Sequence, residues 1–190
     1  MGWHTDGQVP EGVKKAVIIS APHTSYWDFV IGWMTFHIAD VNIRFLIKEE
    51  VFKWPLGWLL RKLGGIPVAR GKKNFMVDQL KEMFDSSESF YVVITPEGTR
   101  KKVAQWKKGF YMIAMEAGVP IACSFIDYEK KTGGIGPVIS PSGDYDKDLA
   151  VIQHFYRGKK AKHPERFSLS GSGNNKNQDS ADVGNKEDPA

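Results

Sequence analysis

A histidine and an aspartate five positions apart close an apolar run: His23 and Asp28 stand in "APHTSYWDF", with "AVIIS" just before it. An imidazole with one ring nitrogen held by a carboxylate keeps a single tautomer, and its other nitrogen can take a proton from a hydroxyl as a general base. No protein nucleophile completes a triad, because Ser25 lies outside any G-x-S-x-G elbow and no such elbow occurs in the chain. The nucleophile is then a hydroxyl on the substrate, and the chemistry is direct transfer of an acyl or related group. The same residues also fit a structural pattern. Ser25-Tyr26-Trp27-Asp28 has the S-x-x-[DE] spacing of a helix capping box, in which the acid reaches back to a backbone N–H. On that reading His23 is an ordinary loop histidine, and local pattern alone leaves both readings open.

A second cluster follows the apolar run "FYVVIT". "TPEGTRKK" (95–102) joins a proline and a permissive glycine, Gly98, to Arg100, Lys101 and Lys102. Such a turn needs no function, since a charge run is usually a solvated face. Yet "GGIPVARGKK" (64–73) also ends a short apolar run with Arg70, Lys72 and Lys73, so two neighbouring strand ends are expected to gather positive charge near the base. Arginine grips phosphate in bidentate fashion, which points to an anionic acceptor, with Glu97 expected to orient an arginine.

The elements that must carry these residues alternate. Strands are expected at 16–21, 43–47, 66–69, 90–95, 120–128 and, weakly, 136–140, mostly apolar throughout, as strands covered on both faces are. Helices are expected after Asp28 (Phe29, Trp33, Phe36, His37 on one face), over Phe75 to Phe84, from Trp106 to Ala117 with Gly118 and Pro120 as the stop, and over Tyr145 to about Arg157. The alternation predicts an α/β single-domain sandwich, a central mixed, mostly parallel sheet flanked by helices, with sites in loops at the carboxyl ends of strands.

At 190 residues with 42% hydrophobic content the chain is long enough for one well-filled core, assigned to residues 1–167. Residues 168–190 are small and polar, and are expected to form a disordered tail. Up to Leu169 the chain holds 24 basic against 18 acidic residues, a balance that favours an anionic partner without choosing one. One cysteine, Cys123, permits no internal disulfide, and no Cys/His cluster has zinc spacing, so a reducing compartment and no metal are expected. The start lacks the pattern of a signal peptide, and no stretch reaches the roughly 18 apolar residues of a membrane span, so a cytoplasmic location with peripheral membrane contact is expected. The segment "VFKWPLGWLLRKLGG" (51–65), with Trp54, Trp58, Lys53, Arg61 and Lys62, reads either as a core helix begun or kinked by Pro55 or as an interfacial helix on anionic lipid. Nucleic acid is not expected, because no recognised binding motif is present.

Taken in order, these blocks resemble the lysophosphatidic acid and glycerol-phosphate acyltransferase family. His-x4-Asp is matched by His23 and Asp28, the glycine-apolar-arginine block by "GGIPVAR" ending at Arg70, and Pro-Glu-Gly-Thr-Arg by Pro96 to Arg100 in full. "KKGF" at Lys107 to Phe110 and Val119-Pro120-Ile121 follow in the family's order. The resemblance implies transfer of a fatty acyl group from a thioester, on coenzyme A or acyl carrier protein, to the hydroxyl of a lysophospholipid such as 1-acylglycerol-3-phosphate, with no cofactor. It implies His23 as base, Asp28 as its partner, and Arg70, Glu97, Gly98, Thr99 and Arg100 as substrate-binding residues. Two rivals stand beside it: an acyltransferase for a phosphate-free acceptor lipid, and a non-catalytic peripheral lipid-binding protein.

Overall fold

A computed structural model describes residues 2–68 and 73–169, without the side chains of 73–75. Arg70, Lys72, the side chains of Lys73 and Phe75, and the tail from Ser170 lie outside the described residues. The described elements are β1 (His4–Asp6), β2 (Lys15–Ala21), α1 (Trp27–Ile38), β3 (Ile43–Lys48), α2 (Leu56–Lys62), β4 (Gly65–Val68), α3 (Lys73–Ser86), β5 (Phe90–Ile94), α4 (Gly109–Ala117), β6 (Ile121–Asp127), β7 (Thr132–Ile139) and α5 (Tyr145–Tyr156). One seven-stranded sheet runs in the order β1-β7-β6-β2-β5-β3-β4. Every pairing is parallel except β6 with β7, which gives the mixed, mostly parallel α/β sheet expected.

Why the central strands read as unbroken apolar runs is visible in β2. Val17, Ile19 and Ala21 point to a core shared with Leu80 and Phe84 of α3, Phe110 and Ile113 of α4, and Ile152 and Tyr156 of α5. Ala16 and Ile18, on the other face, pack with Phe36 of α1 and Ile43 of β3. Alternate residues thus meet different layers, and neither face can be polar. Helix α4 is shorter than expected: it starts at Gly109, leaving Trp106 in the loop before it, and stops at Gly118 in the left-handed region (φ 61°). Strand β1, in "HTD", has no apolar pattern and was not expected. It can pair with β7 because a Cβ on Gly134 would overlap the Asp6 carbonyl.

Register decides what meets at the carboxyl edge. Ile19 of β2 sits opposite Ile94 of β5, and Ala21 of β2 opposite Phe125 of β6. Three adjacent parallel strands, β5, β2 and β6, therefore end together, and the residues just beyond them share one site. The two positive strand ends are not neighbours, however: β3 lies between β4 and β5, which sets them about 10 Å apart.

Candidate active site

The loop after β2 carries His23. Its Nδ1 lies 3.5 Å from Asp28 Oδ2, long for a hydrogen bond but close enough to orient the ring, and leaves Nε2 for a substrate. Asp28 opens α1 and is only 5% exposed. Its Oδ2 also accepts hydrogen bonds from the Thr24 N–H (2.6 Å) and the Ser25 N–H (2.7 Å), while the Trp27 N–H donates to Ser25 Oγ (3.2 Å). The structural and functional readings of this stretch therefore coincide in one carboxylate, which holds the turn before the helix and faces the imidazole. Its other oxygen, Oδ1, accepts from the Tyr128 hydroxyl at 2.7 Å. Burial works to raise the Asp28 pKa. Donors from His23, Tyr128, Ser25 and Thr24 outweigh it and hold the carboxyl below its ordinary range.

From the neighbouring strand end, Glu97 reaches the same loop: its Oε1 accepts from the His23 N–H at 3.1 Å. Glu97 was expected to orient an arginine. Among the described residues it meets none, and at 3% exposure it braces the histidine loop instead. Burial pushes its pKa up, the His23 N–H opposes this, the Asp28 charge adds to it, and the result is about 8. Oε2, buried and without a hydrogen-bond partner among the described residues, is the oxygen to carry that proton. Gly98 lies under the Lys107 side chain and has φ 64°, a backbone conformation that favours glycine. The Thr99 hydroxyl accepts from the Lys101 N–H at 3.3 Å and shapes the turn, and the Arg100 guanidinium lies 3.7 Å from the ring centre of Tyr26.

These groups border a cleft of about 970 Å³ that runs along β3 between α1 and α2. His23, Asp28, Tyr26, Thr99 and Arg100 supply its polar part, and Phe29, Trp33 and Phe36 of α1 with Phe45 of β3 and Leu56 and Leu60 of α2 supply apolar wall. The α1 residues recur at i, i+4 and i+7, so one helix carries both the aspartate and a greasy stripe leading from it. The volume is at the upper end of the roughly 300–1,000 Å³ usual for ligand sites. Sequence reasoning located His23, Asp28 and the "EGTR" turn but missed Tyr128, Tyr26 and the cleft, which only the strand order assembles. It left 51–65 open between a core helix and an interfacial one. Helix α2 buries only Gly57, while Trp54, just before it, is 91% exposed and Trp58 66%.

Fold and site together define an α/β protein with a histidine–aspartate pair at the carboxyl edge of its sheet, opening on an apolar cleft. A family model described as Acyltransferase matches residues 3–126, and the chain belongs to that family. It is 31% identical over 118 residues to the chloroplastic 1-acyl-sn-glycerol-3-phosphate acyltransferase BAT2 of Brassica napus, covering 60% of this chain and 33% of that protein. It is 27% identical over 158 residues to the 1-acyl-sn-glycerol-3-phosphate acyltransferase of Pseudomonas aeruginosa, covering 73% of this chain and 60% of that protein. With the lyso-ornithine lipid O-acyltransferase of the same organism it shares 27% identity over 157 residues, 79% of this chain and 57% of that protein. The chain thus spans between a third and three fifths of the length of these relatives. The crystal structure of the 1-acyl-sn-glycerophosphate acyltransferase PlsC from Thermotoga maritima shares the fold, with a TM-score of 0.55 at 21% identity over 80% of this chain and 69% of that one.

Proposed function

We propose that this protein transfers a fatty acyl group from a thioester, on coenzyme A or acyl carrier protein, to the hydroxyl of a lysophospholipid such as 1-acylglycerol-3-phosphate, in phospholipid biosynthesis. The observation that carries the reading is the His23–Asp28 pair, 3.5 Å apart, bordering a largely apolar cleft that also holds Arg100. His23 Nε2 takes the proton of the acceptor hydroxyl as the oxygen attacks the thioester carbonyl, and Asp28 stabilises the imidazolium. Collapse of the tetrahedral adduct expels the thiolate, which takes the proton back from His23, so ester and free thiol are the products. Arg100, resting on Tyr26, is placed to pair with the acceptor phosphate, and Arg70, which lies outside the described residues, is its expected companion. The base is imidazole, so the proposed step needs two substrates and no resident metal.

Peripheral attachment to the cytoplasmic face of a membrane belongs to the same proposal. Among the described residues, no helix is long and apolar enough to cross a membrane. Helix α1 is nevertheless apolar on both sides: its inner stripe lines the cleft, while Trp27, Val30, Met34 and Ile38 stand 41–68% exposed. Trp54, Trp58 and Leu59 are a second set of exposed apolar side chains, next in sequence to Lys53, Arg61 and Lys62. A lipid surface suits such a mixture of rings and cations beside a cleft for an acyl chain.

The test is direct. The purified protein is incubated with lysophosphatidic acid, other lysophospholipids and lyso-ornithine lipid, each with palmitoyl-CoA or palmitoyl acyl carrier protein, and products are read by mass spectrometry. The expected result is diacylated phosphatidic acid, with kcat lowered roughly 10²–10⁴-fold in His23→Ala. Acylation of lyso-ornithine lipid alone would move the acceptor to the phosphate-free class, and wild-type turnover in His23→Ala would overturn the mechanism.

A further inference from the structure

We infer that Tyr128 is a positioning residue for catalysis: its hydroxyl fixes the Asp28 carboxylate so that one oxygen is kept for the His23 ring. The inference rests on the reading of His23 and Asp28 as the catalytic pair. It starts from the strand order. β6 is the neighbour of β2 on the side opposite β5, and Tyr128 is the first residue after β6. Asp28 is one hundred residues away in sequence, yet the Tyr128 hydroxyl donates to its Oδ1 at 2.7 Å.

The two carboxylate oxygens have separate tasks. Oδ2 takes the Thr24 and Ser25 N–H groups and faces His23, and Tyr128 holds Oδ1. A carboxylate gripped at one oxygen can still turn about its last torsion, which is broad for aspartate. Gripped at both, it cannot, and the direction from Oδ2 to His23 Nδ1 is set. Tyr128 is itself anchored: its N–H donates to the Lys160 carbonyl at 2.9 Å, and its ring meets Trp3 edge-on at 5.2 Å. The phenol keeps its proton at any working pH, because burial and then the Asp28 charge raise its pKa well above the ordinary value. It is therefore always the donor. Among the described residues, other ionisable groups near the pair include Glu97, across the His23 loop, Arg100, which lines the same cleft, His163, whose N–H donates to Thr24 Oγ1, and Lys162, whose ammonium lies 5.9 Å from the Tyr128 ring centre.

Tyr128→Phe removes the hydroxyl and keeps the ring on Trp3. With lysophosphatidic acid and palmitoyl-CoA, kcat is expected to fall about tenfold, the size of one hydrogen bond to a charged group. KM for both substrates is expected to stay within about twofold. The acid limb of the pH–rate profile, which belongs to the coupled pair, should move to higher pH, because the carboxylate that lost a donor binds its proton more tightly. In Asp28→Asn, adding Tyr128→Phe should cost much less than it costs alone. Trp3→Leu serves as the control for packing: it should leave the pH profile unmoved. Wild-type kcat and pH profile in Tyr128→Phe would overturn the inference, as would a change confined to KM, or a kcat loss that tracks a lowered melting temperature in both Tyr128→Phe and Trp3→Leu. If His23→Ala is inactive while Tyr128→Phe is normal, only this inference falls. If His23→Ala turns over normally, the catalytic pair falls first.

Discussion

Glu97 is buried within the field of a second carboxylate, and its pKa of about 8 follows from that placement, burial coming first. The linkage has a definite sign. In the unfolded chain the group ionises near 4.5, whereas in the fold it keeps its proton until about 8, so from pH 4.5 upward the unfolded state binds fewer protons. The Glu97 contribution to stability is therefore complete below about pH 4.5, falls as pH rises, and levels off above about pH 8. Asp28 works in the opposite window: its pKa is lowered, so its contribution is present at neutral pH and lost only on strong acidification. Glu97→Gln keeps an oxygen for the His23 N–H and removes the titration. Between pH 5 and pH 9 the melting temperature of the variant is expected to gain steadily on that of the wild type. Parallel melting curves across that range would show that Glu97 is ionised in the fold.

At the scale of the elements, α1 and α2 flank the cleft and carry the exposed rings by which, in the proposed function, a lipid would reach it. Trp54 at 91% exposure and Trp58 at 66% contribute little to the core, so their replacement tests the surface without unfolding the protein. Trp54→Ala and Trp58→Ala should leave the melting temperature nearly unchanged and weaken binding to vesicles that contain phosphatidylglycerol. Binding should also weaken with salt, since exposed cations are screened over about 8 Å at physiological ionic strength. Co-sedimentation at low and high salt measures both effects, and equal binding by the wild type and both variants would remove α2 from the membrane surface. How these elements were legible differs for physical reasons. β2, β5 and β6 stood out because both faces of each are covered and most of their residues are apolar. The segment 51–65 was ambiguous because a lipid-facing and a core-facing helix share one composition; the exposure of its tryptophans speaks against the core reading. β1 was illegible: three exposed residues carry no pattern, and their place depends on the room left by Gly134 on another strand.

At the scale of the whole molecule, loops beside the candidate site are braced by a segment that sequence composition assigned partly to a free tail. His23 and Glu97 were legible as loop residues after strands, and Asp28 as the start of the following helix. The assembly of three strand ends with the chain's C-terminal stretch was not, because it depends on contacts spanning up to 139 residues. After α5 the chain turns back across the carboxyl edge. The Lys160 carbonyl takes the Tyr128 N–H, and the His163 N–H donates to Thr24 Oγ1 at 3.2 Å. Trp106 Nε1 then donates to the Ser168 carbonyl at 3.1 Å, the Ser168 hydroxyl donates to the Val103 carbonyl, and Phe167 and Leu169 pack on the core. The packed domain thus runs through Leu169, two residues past the boundary read from composition. Beyond it, "SGSGNNKNQDSADVGNKEDPA" holds Val183 as its one large aliphatic side chain, and composition alone carries the expectation that it adds little to stability. Two truncations therefore behave differently. Ending the chain after Leu169 should leave thermal stability nearly unchanged. Ending it after Phe167 removes two hydrogen bonds to the 103–106 loop and a half-buried leucine, about 2 kcal/mol together, which in a domain of this size is a drop of about 4–8 °C in melting temperature. Calorimetry on both truncated proteins checks the boundary: equal melting temperatures would show that Ser168 and Leu169 add nothing to the fold.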